Sequence, residues 1–149
     1  MKSFFEWFHS DTVNQLQPWL ILGKGPSFSK RTQFDLNPYH KISLNHAVRE
    51  LPVRVAHVID LDVVNDCGEI ILHNAEFLVL PWMPHIRSRP GPHDLGEVAQ
   101  THPVLRALDR QGRLLWYNHS RARYQRDGSP VVRVKFFSAV AAINLLAQA

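Results

Sequence analysis

The stretch Trp19-Leu20-Ile21-Leu22-Gly23-Lys24-Gly25-Pro26-Ser27 places four large apolar residues directly before a Gly/Pro turn. Four such residues ending at a glycine predict a strand buried on both faces, which is typical of a parallel sheet covered by helices. In α/β sheets ligands bind beyond the carboxyl ends of the strands, where glycine turns let backbone N–H groups approach a phosphate. The stretch therefore predicts an α/β domain with a ligand site at this turn.

The spacing of this turn excludes two common phosphate-binding motifs. A P-loop has four residues between its first glycine and a Gly-Lys-Ser/Thr sequence, whereas Lys24 precedes the second glycine here. A dinucleotide fingerprint needs a third glycine where Phe28 stands. Lys24 still supplies a cation and Ser27 a hydroxyl, so we expect the turn to contact a phosphate in another way.

The strand and its Gly-Lys-Gly-Pro-Ser turn resemble the Gly-Asn-Gly-Pro-Ser turn of bacterial sialyltransferases that use a cytidine-monophosphate sugar donor. They are also similar to the opening of a related group of bacterial proteins and of archaeal pterin diphosphokinases with a Rossmann-like domain. Lys24 replaces the asparagine of those families. The resemblance implies a Rossmann-like three-layer α/β domain with a mainly parallel sheet, and it implies nucleotide binding by Gly23, Lys24, Gly25, Pro26 and Ser27.

Two later segments carry the same resemblance. In those families a strand ending in Asn follows the glycine turn and the Asn contacts the nucleotide; Asn45, after the predicted strand 40–44, matches it. The alternative is that Asn45 merely closes a turn. A Ser-Gly pair that opens an Ala-rich helix also contacts the nucleotide in those families. Ser138 matches the serine and caps the helix predicted over 137–147, while Ala139 replaces the glycine.

Two carboxylates end the predicted third strand, Arg54–Asp62. Asp60 and Asp62 point to the same side of an extended chain, so both could face one hard cation such as Mg²⁺ or Mn²⁺. The Asp-Leu-Asp sequence also resembles the Asp-x-Asp of metal-dependent glycosyltransferases, in which a divalent ion bridges the donor diphosphate. The alternative is that Asp62 caps the helix predicted over 63–74, on which Cys67 is a core residue.

The candidate general bases are histidines chosen by location alone: His46, His85 and His119 each lie at or beyond the end of a predicted strand. No motif positions any of them to deprotonate a hydroxyl. The predicted loop 83–95 is either a cationic rim over a ligand or an ordinary basic loop, according to the direction taken by His85, Arg87, Arg89 and His93. No histidine pair has the spacing of a zinc site.

The composition, with 45% hydrophobic and 20% charged residues, indicates one folded domain over residues 1–149. Residues 1–17 are expected to form a helical lead-in that packs on the edge of the sheet. The formal charge of +4 suits an anionic ligand, although an ordinary basic surface explains it as well. Cys67 is the single cysteine, and the sequence has neither a secretory signal nor a membrane-length apolar run. We therefore expect a cytoplasmic location.

These observations predict a glycosyltransferase related to the sialyltransferases, which binds a nucleotide or nucleotide-sugar and passes the sugar to a glycan acceptor. In those families the last helix leads to a Gly-x-Asp strand and a more distant general-base histidine. We therefore expect this chain to correspond to the nucleotide-binding half, as a fragment or a natural short relative. The alternatives are a Mg-dependent diphosphokinase that uses Asp60 and Asp62, or a non-catalytic nucleotide-binding or interaction module. Nucleic acid is not an expected partner. The sequence leaves two questions open, namely whether the chain is an enzyme and whether it forms a homo-oligomer.

Overall fold

A parallel sheet forms the centre of the structure, a computed structural model that describes residues 1–134 and 138–149. The strands are β1 (Lys2–Ser3), β2 (Trp19–Leu22), β3 (His40–Leu44), β4 (Val53–His57), β5 (Ala75–Pro81), β6 (His85–Ile86), β7 (Arg89–Pro90), β8 (Leu114–His119) and β9 (Val131–Val132). The helices are α1 (Phe4–Ser10), α2 (Val13–Leu16), α3 (Leu61–Cys67), α4 (Ile70–Asn74), α5 (Leu95–Thr101), α6 (Pro103–Arg110) and α7 (Ser138–Gln148), with 3₁₀ helices at Phe28–Gln33 and Asn45–Arg49.

The strand order in the main sheet is β1-β8-β5-β4-β3-β2, with β9 paired to β8, and every pair is parallel. From β2 to β8 each new strand is added on the same side of the last, so right-handed crossovers place the connecting helices on one face. This face carries α3 to α6 and the second 3₁₀ helix, and α1 and α7 cover the other. The architecture is the Rossmann-like three-layer α/β fold that the sequence predicts.

The N-terminal segment supplies an aromatic cluster to the second face. Ser3 begins α1 with a capping box, because its Oγ accepts the N–H of Glu6 at 3.1 Å while Glu6 Oε2 accepts the N–H of Ser3 at 2.7 Å. The rings of Phe4, Phe5, Trp7 and Phe8 are buried there against β3, β4, β5 and β8. The expected helical lead-in is therefore confirmed as helical, but it packs on the sheet face rather than on the edge, and a short strand precedes it.

The strand that leads to the glycine turn lies at the edge of the sheet. Of the residues of β2, only Leu22 is buried, at 7% exposure. The prediction of a strand buried on both faces is wrong, because Trp19, Leu20 and Ile21 are only partly buried at this edge, where β2 pairs with β3 alone among the described residues. The fully buried runs lie instead in β5 and β8, in the middle of the sheet.

Two other boundaries differ from the sequence prediction. The predicted strand 54–62 ends at His57, and Leu61 already begins α3. The predicted helix 63–74 is divided at Gly68, whose φ of +52° ends α3 before α4 starts. The break at Pro103, the later strands and the C-terminal helix are confirmed, and Cys67 is buried in the core as expected.

The alternating strand predicted over 131–136 is strand only at Val131–Val132, and residues 135–137 lie outside the described residues. The sequence predicts Ser138 as the N-cap of the last helix, whereas in the structure α7 begins at Ser138 itself. Within the described ranges no helix combines the length and apolar character needed to span a membrane.

Candidate functional site

The glycine turn and Asn45 lie at the same edge of the sheet. Strands β2 and β3 are parallel and pair Leu22 with Ser43, so Gly23 and Asn45 follow their carboxyl ends side by side. A Cβ on Gly23 would lie 3.4 Å from Cδ1 of Leu44, so the glycine permits close packing of the two strand ends. This edge is where the topology of an α/β sheet favours ligand binding.

Asn45 connects this edge to the C-terminal helix. Its backbone is left-handed, with φ +49°, a conformation that asparagine adopts more readily than most residues. Its Nδ2 donates to Ser138 Oγ at 3.2 Å, and its Oδ1 is buried with no hydrogen-bond partner among the described residues. A buried acceptor left without a donor is costly, so this carbonyl oxygen is suited to a donor supplied by a ligand.

Ser138 brings the N-terminus of α7 to the same edge. The helix has 11 residues and packs against β2 and β3, with Ser138 and Ala139 half-buried. Backbone N–H groups of the first helical turn, with the positive end of the helix dipole, favour an anion at such a position. The structure therefore brings together Gly23, Asn45, Ser138 and Ala139, which the resemblance assigns to one ligand.

The rest of the glycine turn is exposed and hydrogen-bonded to itself. The N–H of Gly25 donates to the carbonyl of Gly23 at 2.9 Å, and the N–H of Phe28 donates to the carbonyl of Gly25 at 3.0 Å. No described atom lies within 4 Å of the place where a Cβ on Gly25 would stand. Pro26 and Ser27 are exposed beside this open space, so the turn leaves room for a ligand.

Lys24 is held by an ion pair instead of projecting freely. Its Nζ lies 2.7 Å from Oε1 of Glu50, and Arg31 Nη2 lies 3.6 Å from the other oxygen of that carboxylate. The hydrogen bond from Lys24, with the charges of the neighbouring cations, lowers the pKa of Glu50. Two cations share one carboxylate here, so the group keeps a net positive charge next to the turn.

His46 is the candidate base nearest to this edge. It follows Asn45 directly, and its Nε2 lies 3.2 Å from Oδ2 of Asp66 on α3. Its Nδ1 has no hydrogen-bond partner in the part of the chain that the structure describes. A histidine oriented by a carboxylate through one nitrogen has the other available for proton transfer, which is the arrangement of many general bases.

The other two candidate histidines form a separate buried cluster. The rings of His85 and His119 lie 4.9 Å apart between centroids, and Nε2 of His57 lies 3.1 Å from Oη of Tyr117 close by. Burial lowers the pKa of His57 to about 3 and that of His119 to about 4, and it also lowers the pKa of His85. Strand β8 is three strands from β3, roughly 14 Å at ordinary strand spacing, so His119 is distant from the glycine turn. His57 is nearer to that edge, because it lies on β4 opposite Leu44.

The sequence does not indicate His57 or Tyr117 as members of a polar cluster. Both lie inside apolar strand runs, where their pattern is that of core positions. One sequence signal does point to such a cluster: histidine and tyrosine carry polar atoms that need hydrogen-bond partners when they are buried in a strand. The partner cannot be identified from sequence because β4 and β8 are not adjacent in sequence or in the sheet.

The two aspartates fix a hairpin. Asp62 lies in the first turn of α3 and Asp60 at its N-cap position without a side-chain cap, so neither the expected extended chain nor the expected cap by Asp62 is found. Oδ1 of Asp60 accepts the N–H of Ser88 at 2.7 Å, and Oδ2 of Asp62 accepts the N–H of Arg87 at 2.9 Å. No cluster of three or more His, Cys, Asp or Glu residues able to hold a metal occurs in residues 1–134 and 138–149.

The loop 83–95 contains the β6–β7 hairpin and turns a single candidate inward. His85 is buried, whereas Arg87, Arg89 and His93 are exposed, and His93 pairs with Glu97 at 3.0 Å. The exposed side chains fit the ordinary basic loop, and the cationic rim over a ligand stays a prediction.

The described residues form a cavity and a groove at opposite edges of the sheet. A cavity of about 680 Å³ opens at the amino ends of β3, β4 and β5, the edge opposite the glycine turn. A groove of about 510 Å³ runs along the outside of β2 and reaches Gly23 and Ser27. The sequence predicts the turn but not this groove, since its far wall comes from the segment 28–39, whose pattern is that of an irregular loop.

Comparison of the chain with protein-family models, with curated proteins and with solved structures gives no match. The likeness to the sialyltransferase-like families therefore depends on the glycine turn, Asn45 and Ser138.

Proposed function

We propose that the chain binds a nucleotide or nucleotide-sugar at the edge formed by the glycine turn, Asn45 and Ser138, as the donor-binding domain of a sialyltransferase-like glycosyltransferase. The observation that supports this proposal is the hydrogen bond between Asn45 Nδ2 and Ser138 Oγ. It joins two residues 93 positions apart in sequence, each of which the resemblance assigns to the nucleotide.

Each part of the edge has a chemical role in this proposal. The N–H groups at the start of α7 and the net positive charge around Lys24 attract the phosphate. Oδ1 of Asn45, which has no partner within residues 1–134 and 138–149, accepts a hydrogen bond from a hydroxyl or amino group of the nucleoside. The hydrogen bond to Ser138 holds the amide of Asn45 in one orientation.

His46 is the proposed general base of the transfer step. With Asp66 holding its Nε2, Nδ1 removes the proton from an acceptor hydroxyl. The hydroxyl oxygen then forms a bond to the anomeric carbon of the donor, and the bond from that carbon to the phosphate oxygen breaks, so that the nucleotide leaves with the electron pair. His85 and His119 are less suitable because burial lowers the pKa of both rings.

The two alternatives differ in the support they receive. The diphosphokinase requires Asp60 and Asp62 to bind Mg²⁺, but both carboxylates accept backbone N–H groups of the hairpin. The non-catalytic module uses the same binding edge and differs only in lacking turnover of the donor. A donor-hydrolysis assay with wild-type protein and the His46→Gln variant separates it from the glycosyltransferase.

The binding proposal is tested by titrating the protein with CMP, CDP, UMP and ATP, with and without Mg²⁺, in a calorimeter. We expect CMP binding without a requirement for Mg²⁺ and a roughly two- to tenfold lower affinity for Ser138→Ala, the loss of one hydrogen bond. Ser10→Ala, the same change on α1, is the control and should keep the affinity. Absence of binding for every nucleotide at millimolar concentration would overturn the proposal.

A further inference from the structure

The groove along β2 is continuous with the proposed phosphate site. It is about 510 Å³ in volume, and Gly23 and Ser27 of the glycine turn form part of its wall. Ligand pockets that enclose small organic molecules occupy about 300–1,000 Å³, so a nucleoside fits this size. A ligand with its phosphate at the turn therefore has the groove as the nearest concave surface for its remaining atoms.

Aromatic side chains line the outer part of this groove. Phe34 is 67% exposed and Tyr39 is 39% exposed, although both are large rings that normally pack into a core. Phe28 forms the inner part and is covered by the guanidinium of Arg31, 4.2 Å above its ring. Accessible rings beside a phosphate site are suited to stacking with a flat heterocycle, because every nucleobase presents a π-face.

Polar groups of the groove have fixed positions. Arg31 Nη1 donates to the carbonyl of Phe28 at 3.1 Å, which holds this cation at the wall. Oδ1 of Asp35 accepts the N–H of Asn37 at 3.0 Å, and Oδ2 has no partner among the described residues. A carboxylate oxygen is an acceptor only, so it favours a ligand group that donates.

We infer that this groove is the nucleobase subsite of the nucleotide site, an inference that rests on the proposed function. The base stacks on Phe34 and Tyr39, and Asp35 accepts a hydrogen bond from its exocyclic amino group. The subsite therefore selects bases that carry such a group, and it prefers cytosine to uracil, which has a carbonyl at the same ring position.

The test measures the affinities of CMP, UMP and inorganic pyrophosphate for wild-type protein and two groove variants. We expect Phe34→Ala to weaken CMP binding by on the order of tenfold and to leave pyrophosphate unaffected. Asp35→Asn should reduce the preference for CMP over UMP to near unity. Leu16→Ala, which removes an apolar side chain that is 79% exposed and outside the groove lining, is the matched control and should have no effect.

The outcomes separate the two proposals. If Phe34→Ala binds CMP as wild type does, or if wild type binds CMP and UMP equally, the nucleobase subsite is wrong while the phosphate site stands. If wild type binds neither nucleotide nor pyrophosphate, both the proposed function and the subsite are overturned. Thermal denaturation of each variant confirms that a lost affinity does not come from unfolding.

Discussion

At the scale of single residues, both the backbone conformation and the side-chain contact at Asn45 restrict which residues fit this position. Its φ of +49° disfavours residues with a branched Cβ, and its amide contacts Ser138. We expect Asn45→Gly to keep the melting temperature within a few degrees, because glycine adopts this φ freely, but to weaken CMP binding several-fold. Asn45→Val should lose stability by about 1–2 kcal/mol or more through backbone strain. Urea unfolding and calorimetric titration of both variants measure the two effects separately.

The buried histidines predict acid sensitivity. In the unfolded chain a histidine has a pKa near 6.5, whereas in the folded chain the pKa of His57 is about 3 and that of His119, facing His85 and Arg121, is about 4. Between roughly pH 6.5 and 4 the unfolded state therefore binds up to two more protons than the folded state. The free energy of unfolding should fall by up to ~2.7 kcal/mol for each unit that the pH is lowered in this range, and these groups add no dependence above it.

Urea unfolding at half-unit steps from pH 7.5 to 5 checks this dependence. His57→Gln removes one of the titrating groups and should reduce the slope by about half, whereas Leu16→Ala, at an exposed side chain that does not titrate, should leave it unchanged. A wild-type stability that stays flat over this range would contradict the assignment of neutral histidines to the cluster.

The candidate site is predictable from sequence only where its residues belong to the turn motif or match the related families. Asn45 and Ser138 are identified in this way, and they lie in contact in the structure. The extended chain expected at Asp60 and Asp62 is not found because α3 begins at Leu61, and their assignment to a metal stays a prediction. Local patterns do not report which distant segment a side chain will meet, so the hairpin contacts of both aspartates could not be anticipated.

At the scale of the element, Gly68 ends α3 with a backbone conformation of φ +52° and ψ −132°. A Cβ at this position would lie 3.9 Å from the carbonyl oxygen of Asn65, so there is space for a side chain. The positive φ is therefore what disfavours other residues at this position. We expect Gly68→Ala to lower the free energy of unfolding by about 1–3 kcal/mol. Gly25→Ala, in open space without a positive φ, is the matched control and should be neutral or slightly stabilising. Urea unfolding of the two variants measures the difference, and equal stabilities would contradict the role of Gly68 at the end of α3.

The elements themselves are largely predictable, with informative exceptions. The 3.6-residue apolar period from 63 to 74 continues across Gly68, so the pattern alone indicates one helix where there are two. The apolar sequence of β2 is typical of a central strand, but β2 lies at the edge of the sheet. Composition alone does not distinguish a strand that helices cover on both faces from a strand that a neighbouring loop covers only in part.

At the scale of the whole molecule, the aromatic cluster of α1 stabilises one complete face of the sheet. Phe4 is fully buried, and its ring centroid lies 5.4 Å from that of Trp7 and 5.8 Å from that of Phe8. We expect Phe4→Ala to lower the free energy of unfolding by about 3–5 kcal/mol, because the surrounding rings cannot fill the cavity. Leu16→Ala should change it by less than about 0.5 kcal/mol. Denaturant titration followed by tryptophan fluorescence measures both, and an unchanged stability of Phe4→Ala would contradict the packing described for α1.

The pairing of β1 with β8 also has a consequence during synthesis. Ser3 pairs with Trp116, so the first strand cannot join the sheet until more than one hundred further residues have left the ribosome. Until then Phe4, Phe5, Trp7 and Phe8 lack the part of their packing surface that β8 provides, so these rings stay partly exposed to solvent. A chaperone that recognises short aromatic segments would bind them during this interval, and the synthesis of β8 would end it.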